Sequence, residues 1–126
     1  MSTSVIIRCR NEERWIGHAI QSVLDHLKDP QIIVIDNCST DDSKDVVRMF
    51  QTFCNVSCVD IDRYSPGKAL NQSLLICKHD NVLILSSHCV IYQYDDDMIS
   101  RYLENEYVAI FGDQIPVYRG KKLLKR

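Results

Sequence analysis

Residues 31–43, QIIVIDNCSTDDS, constrain the fold more than any other stretch of the chain. The apolar run Ile32, Ile33, Val34, Ile35 stops at Asp36, Asn37, Cys38, Ser39 and Thr40, after which helical spacing begins. A short β-branched run bounded by a polar turn and followed by helical periodicity reads as a buried parallel strand feeding a crossover helix. Open α/β sheets hold their ligands at the carboxyl ends of such strands. Asp36 and Asn37 therefore stand where a ligand would be bound.

The remaining segments repeat this alternation. Residues 4–7 form a short β-branched strand that stops at the polar run Arg8 to Glu13. Trp15, Ile16, Ala19, Ile20, Val23, Leu24 and Leu27 then recur at helical spacing, closed off by Lys28, Asp29 and Pro30. Ser39 with Asp42 three residues on predicts a capping-box start for the second helix, its buried side marked by Val46, Val47, Met49, Phe50 and Phe53. Residues 55–60 are a third strand, and Pro66 opens a helix because its missing N–H has no intrahelical partner there. Residues 81–85 are a fourth strand, broken by Ser86, Ser87 and His88. Asp95, Asp96 and Asp97 start a helix, residues 107–111 predict a fifth strand, and residues 114–118 a sixth interrupted by Pro116. The sum is an α/β fold with a mostly parallel central sheet.

Composition bounds the function. With 126 residues, 45% hydrophobic and 25% charged, the chain reads as one soluble globular domain. A net charge of −2 argues against a nucleic-acid binder. The dense basic run, residues 119–126, reads as a solvated C-terminal tail after a domain spanning 1–118. The six cysteines contain no CxxC and read as free, mostly buried thiols. Neither a signal-peptide core nor a run of membrane-spanning length is present, so the expectation is a cytoplasmic protein. His18, His26 and His79 lack paired ligands at helical spacing and read as boundary or surface residues.

SVIIRCRNEERWIGHAIQSVL, QIIVIDNCSTDDS, PGKALNQSL and NVLILSSHCVI resemble, in order and spacing, the nucleotide-binding half of family 2 glycosyltransferases of the GT-A fold. The resemblance implies a three-layer α/β/α, Rossmann-like domain in truncated or minimal form. It also implies a nucleotide-diphosphate sugar as ligand, bound by Arg8, Arg10, Asn11, Glu12, Asp36, Asn37, Ser39, Gly67, Lys68, Asn71, Ser86 and Ser87. An amide or carboxylate at a strand end can hydrogen-bond a base or a ribose. The family's base-reading acid falls on Asn37, which both donates and accepts and so leaves the base open. Arg8 and Arg10 stand where smaller or aromatic residues are usual; a guanidinium there can stack on a base or bond phosphate. Lys68, at a helix N-terminus, suits a diphosphate.

The family's Asp-x-Asp, which holds Mg²⁺ or Mn²⁺ on the diphosphate, is Ser86, Ser87 and His88 in this chain. Serine is a poor ligand for a hard cation, whereas imidazole binds Mn²⁺ and suits Mg²⁺ poorly. Three roles for His88 stand side by side: Mn²⁺ ligand, direct donor to diphosphate, or remnant of a site without metal chemistry. Inverting transfer also needs a general base for the acceptor hydroxyl. Asp113 is the candidate within the chain, although the family's base belongs to the half that follows. The expected function is a glycosyltransferase domain that, with an acceptor half, transfers sugar with inversion. The alternative is a catalytically inactive nucleotide-binding module. A half-domain also exposes apolar surface at its boundary, which predicts self-association.

Overall fold

The computed structural model describes residues 1–105, 107–118 and 121–122, and of residues 118, 121 and 122 the backbone only. It divides into two compact units, Met1–Tyr94 and Asp95–Arg126.

The first unit is a four-stranded, all-parallel sheet in the order β3-β2-β1-β4 with three helices. Its strands are β1 (Thr3–Cys9), β2 (Gln31–Asp36), β3 (Val56–Asp60) and β4 (Asn81–Ser86), and its helices α1 (Ile16–His26), α2 (Ser43–Phe50) and α3 (Pro66–Ile76). The two central strands, β1 and β2, carry side chains buried on both faces, as their near-continuous apolar runs require.

Alternation along the strands makes two cores. Val5, Ile7 and Cys9 of β1 and Ile32 and Val34 of β2 point to one face, where Ile16, Ile20 and Val23 of α1 and Val47 of α2 cover them. Ile33 and Ile35 point to the other face and meet Ala69 of α3 and Ile61. The result is three layers, with α1 and α2 on one side and α3 on the other.

Helix α3 begins as its sequence demands: Pro66 fills the first position, and the Ser65 side chain accepts the Lys68 N–H at 3.2 Å. At the edge of this sheet β4 is less well covered. Its Ile84, on the α3 face by register with Ile6, is 51% exposed.

The second unit contains α4 (Asp96–Glu104) and a short antiparallel pair, β5 (Val117–Tyr118) with β6 (Lys121–Lys122). Asp95 caps α4 by accepting the Met98 N–H at 2.8 Å, and Asp96 and Asp97 lie in its first turn, where the helix dipole favours negative charge.

Several expectations need correction. Strand β1 continues through Arg8 and Cys9, because both have ladder partners on β2 and Arg8 also on β4. Helix α2 starts at Ser43 rather than after Ser39, with Asp42 as an N-cap that makes no side-chain cap bond. On α2 and just beyond it Met49 and Phe53 are exposed, and Val47 is the buried apolar residue. Residues 107–111 form no strand: apolar side chains alone do not supply the backbone partner a strand requires, and Val108 and Phe111 lie in solvent. The sixth strand shrinks to Val117–Tyr118, after Pro116. Of the basic tail, residues 121–122 pair as β6, and residues 119–120 and 123–126 lie outside the described residues. All six cysteines are free, with Cys9 buried and Cys38 exposed.

Candidate functional site

Strands β1, β2 and β4 end at one edge of the sheet, and the loops following β1 and β2 are locked together there. The Asn11 N–H donates to Ser39 Oγ at 2.9 Å, the Glu12 N–H to Ser43 Oγ at 2.8 Å, and the Glu13 N–H to Asp41 Oδ2 at 3.1 Å. In the opposite direction, the Thr40 N–H donates to Asn11 Oδ1 at 2.7 Å and the Asp42 N–H to Glu13 Oε2 at 3.1 Å. Backbone N–H groups at the start of a helix have no intrahelical acceptor, so side chains of the neighbouring loop satisfy them. This is why α2 starts late: Ser39 and Asp41, which resemble a helix start, bond the first loop instead. Asn11 and Cys38 adopt the left-handed region, each with φ 50°. Asparagine enters that region with little cost and cysteine does not.

The Asp41 carboxyl has opposing influences. Partial burial would raise its pKa, but the Ser43 hydroxyl, the Ser43 N–H and the Glu13 N–H all donate to its charged form and together hold it below its ordinary value of 3.8.

Asp36 is 1% exposed and accepts the Ser39 N–H at 2.8 Å. Lys44 stands 3.8 Å from it and 2.5 Å from Asp60 Oδ1, which ties the ends of β2 and β3 to α2. The Asp60 contact, together with the fields of Asp60 and Asp36, raises the Lys44 pKa. Nearby Cys58 is pushed up to about 11, first by burial and then by Asp36 and Asp60, so its thiol stays protonated and inert at neutral pH. Asn37 donates its backbone N–H to the Cys9 carbonyl at 2.8 Å, and its amide side chain is half-buried.

Arg8 is half-buried on the α3 face, in register with Ser86 of β4 and Ile35 of β2; its Nε is buried with no hydrogen-bond partner. Arg10 is exposed. After β4 the chain turns, the Cys89 N–H reaching the Ser86 carbonyl at 3.0 Å. Ser87 is buried, and the exposed His88 has Nδ1 3.5 Å from Glu12 Oε1. Glu12 and His88 thereby link the loops after β1 and β4.

The α3 residues are placed less directly. Lys68 extends its ammonium back to the Asp62 carbonyl, and its backbone N–H is already taken by Ser65. Gly67, Lys68 and Asn71 line a depression of about 680 Å³ with Gln72, Leu74 and Leu75, all on α3. One helix face cannot enclose a ligand, and a Cβ on Gly67 would meet nothing within 4 Å. Asp113 is exposed and belongs to the second unit.

Sequence reasoning does not single out Glu13, Ser43 or Lys44. The signal available for Ser43 and Glu13 is the density of small polar side chains in both loops, which must satisfy helix-start N–H groups from somewhere. Nothing in the spacing of Lys44 distinguishes it from a solvated helix lysine.

An open α/β sheet with polar loops converging at its carboxyl edge defines a ligand-binding domain of the doubly wound type. The family model described as Glycosyl transferase family 2 matches residues 4–126, and the chain belongs to that family. No curated protein sequence matches. Among solved structures, TarS residues 1–349 of S. aureus in complex with UDP-GlcNAc is similar at 24% identity and TM-score 0.71, over 83% of this chain and 32% of that one. The mannosyltransferase PcManGT from Pyrobaculum calidifontis, in complex with GDP-Man and Mn²⁺, is similar at 20% identity and TM-score 0.68, over 81% and 31%. Glucosyl-3-phosphoglycerate synthase from Mycobacterium tuberculosis, in complex with Mn²⁺, UDP and glucosyl-3-phosphoglycerate, is similar at 29% identity and TM-score 0.56, over 68% and 33%. The chain thus spans about a third of the length of each of these three structures.

Two of these relatives hold Mn²⁺. The corresponding donors here are the hydroxyls of Ser86 and Ser87, the exposed His88 imidazole and the Glu12 carboxylate. Among the described residues no group of three or more His, Cys, Asp or Glu is placed to hold a metal ion. Hard divalent cations draw on several anionic oxygens, and one carboxylate with an imidazole does not supply them. The residues present do not fit the family's metal. Among the described residues no helix is long and apolar enough to cross a membrane.

Proposed function

We propose that this chain binds a nucleotide-diphosphate sugar at the carboxyl ends of β1, β2 and β4 and, with an acceptor half, transfers the sugar with inversion. The observation that carries the reading is the locked pair of loops after β1 and β2 in a chain of this family. They fix Asp36 and Asn37 before a ligand arrives, so little ordering cost falls on binding. The ligands of the similar structures, UDP-GlcNAc, GDP-Man and UDP, share a nucleoside diphosphate and differ in base and sugar.

Asn37 serves the nucleoside, its amide deciding which base edge is accepted, and the buried Asp36 holds the turn that carries it by accepting the Ser39 N–H. Arg8, Arg10, Lys68 and Ser86 serve the diphosphate. In transfer, a base takes the proton of the acceptor hydroxyl, the oxygen bonds the anomeric carbon, and the bond from that carbon to the diphosphate breaks on the opposite face. Asp113 is the candidate base within the chain. A cytoplasmic location and a donor-binding domain over residues 1–118 belong to the same proposal.

Titration with UDP, CDP and GDP tests it. Binding of one of them in the micromolar to millimolar range is the expected result, and failure of all three would end the reading. That no metal ligand set is found among the described residues, with Ser86 and Ser87 leading the loop after β4, favours a second reading, a nucleotide-binding module without transferase activity. Release of free sugar from a bound donor, lost on Asn37→Ala, would exclude that second reading.

A further inference from the structure

We infer that the Arg8 guanidinium, and not a divalent metal, neutralises the diphosphate of the bound donor. This inference rests on the donor-binding reading above. Arg8 lies near the carboxyl end of a central strand, and its Nε is buried without an acceptor. A buried donor left unpaired is costly, and each such group in a folded protein calls for a partner to explain it. Arg8 as a whole is only half-buried, so an anionic ligand at the strand ends can reach its guanidinium and draw it out of this unpaired arrangement.

The register strengthens the case. Arg8 sits directly across from Ser86 of β4, on the α3 face. Ser86 opens the stretch Ser86, Ser87, His88 that stands in place of the acidic metal motif. A carboxylate at position 86 would pair with Arg8 and consume its charge; a serine leaves that charge available. Two departures from the family pattern, an arginine gained and an acid lost, therefore fall on adjacent positions of neighbouring strands. They make one change of sign at the site.

A second cation shares this face and edge. Ala69 and Ile35, the β2 register partner of Arg8, belong to one apolar cluster, which places the first turn of α3 on the sheet face that carries the arginine. Lys68 is in that turn, and its ammonium rests on a neutral acceptor, the Asp62 carbonyl. A guanidinium holds a diphosphate through paired N–H donors in a fixed plane, and needs no metal to do so.

The test is equilibrium binding of the nucleoside diphosphate that the chain accepts, with EDTA and with added Mn²⁺, alongside the matching nucleoside. The wild type is expected to bind the diphosphate within about twofold equally under both conditions. Arg8→Gln is expected to weaken diphosphate binding at least tenfold while nucleoside affinity stays unchanged. Ser86→Asp is expected to weaken it similarly in EDTA, by capturing Arg8. Wild-type binding that requires Mn²⁺ overturns the inference and leaves the donor-binding reading intact. Undiminished diphosphate binding by a folded Arg8→Gln overturns it as well. No nucleotide binding under any condition overturns both. If thermal melts show Arg8→Gln unfolded, the EDTA comparison on wild type and the Ser86→Asp variant decide.

Discussion

Asn11 joins the two loops of the site with one side chain and an unusual backbone. Its Oδ1 accepts from Thr40 while its own N–H donates to Ser39, so it ties both chain directions at once. Its φ of 50° would strain most other residues. Asn11→Ala loses the exposed hydrogen bond, about 1 kcal/mol, and adds a left-handed penalty of about 1 kcal/mol. Urea unfolding is expected to show a loss of about 1–2 kcal/mol, with Asn11→Gly recovering roughly half because glycine accepts the backbone conformation. Asp41 gives a pH signature from the same junction. Its folded pKa lies below its ordinary 3.8, so its contribution to stability is present above that value and disappears as pH falls through the folded one. Thermal melts from pH 7 to pH 3 should show Asp41→Asn less stable than wild type at neutral pH, with the gap closing below about pH 4. A gap that does not narrow at all as pH falls below about 4 would mean that charge is not what Asp41 contributes.

At the scale of elements, α3 depends on its cap more than α1 does. Helix α1 buries Ile16, Ala19, Ile20 and Val23, so packing holds it even though its N-cap, Trp15, makes no side-chain bond. Helix α3 buries only Ala69 and Ser73 and leaves Leu74 and Leu75 exposed. Ser65→Ala is therefore expected to cost about 1 kcal/mol, with amide exchange rising across residues 67–70 ahead of the rest of the fold. The same contrast separates what the sequence reveals from what it hides. The apolar run of β2 and the spacing of α1 report burial, which depends on side-chain pattern, and both are legible in the sequence alone. The start of α2 is not, because Ser39, Asp41 and Ser43 have the chemistry of helix caps and the fold spends it on a neighbouring loop. Residues 107–111 mislead for the converse reason, having strand-like side chains without a strand beside them. Arg8 and Ser86 are legible as polar strand ends, but their adjacency is a property of register and emerges only from the β1–β4 ladder.

For the whole molecule, every residue of both apolar clusters lies in the unit Met1–Tyr94. In the other unit α4 has no buried residue, and Val108 and Phe111 are 99% and 93% exposed. A chain of this size can fold on one sheet and three helices, since domains of roughly 55–65 residues already do so. A fragment of residues 1–94 is therefore expected to unfold in a single cooperative transition, with a midpoint within about 8 °C of the full chain, the shift that about 1 kcal/mol produces at this size. It should also keep whatever nucleoside diphosphate affinity the full chain has, because Arg8, Asp36, Asn37, Lys68 and Ser86 are all within it. Transfer is a separate matter, since Asp113 is not. Calorimetry of the fragment checks the first expectation and titration the second. A fragment that folds but binds nothing would place an essential donor contact among residues 95–126, and the strand-end site would then be only part of the binding surface.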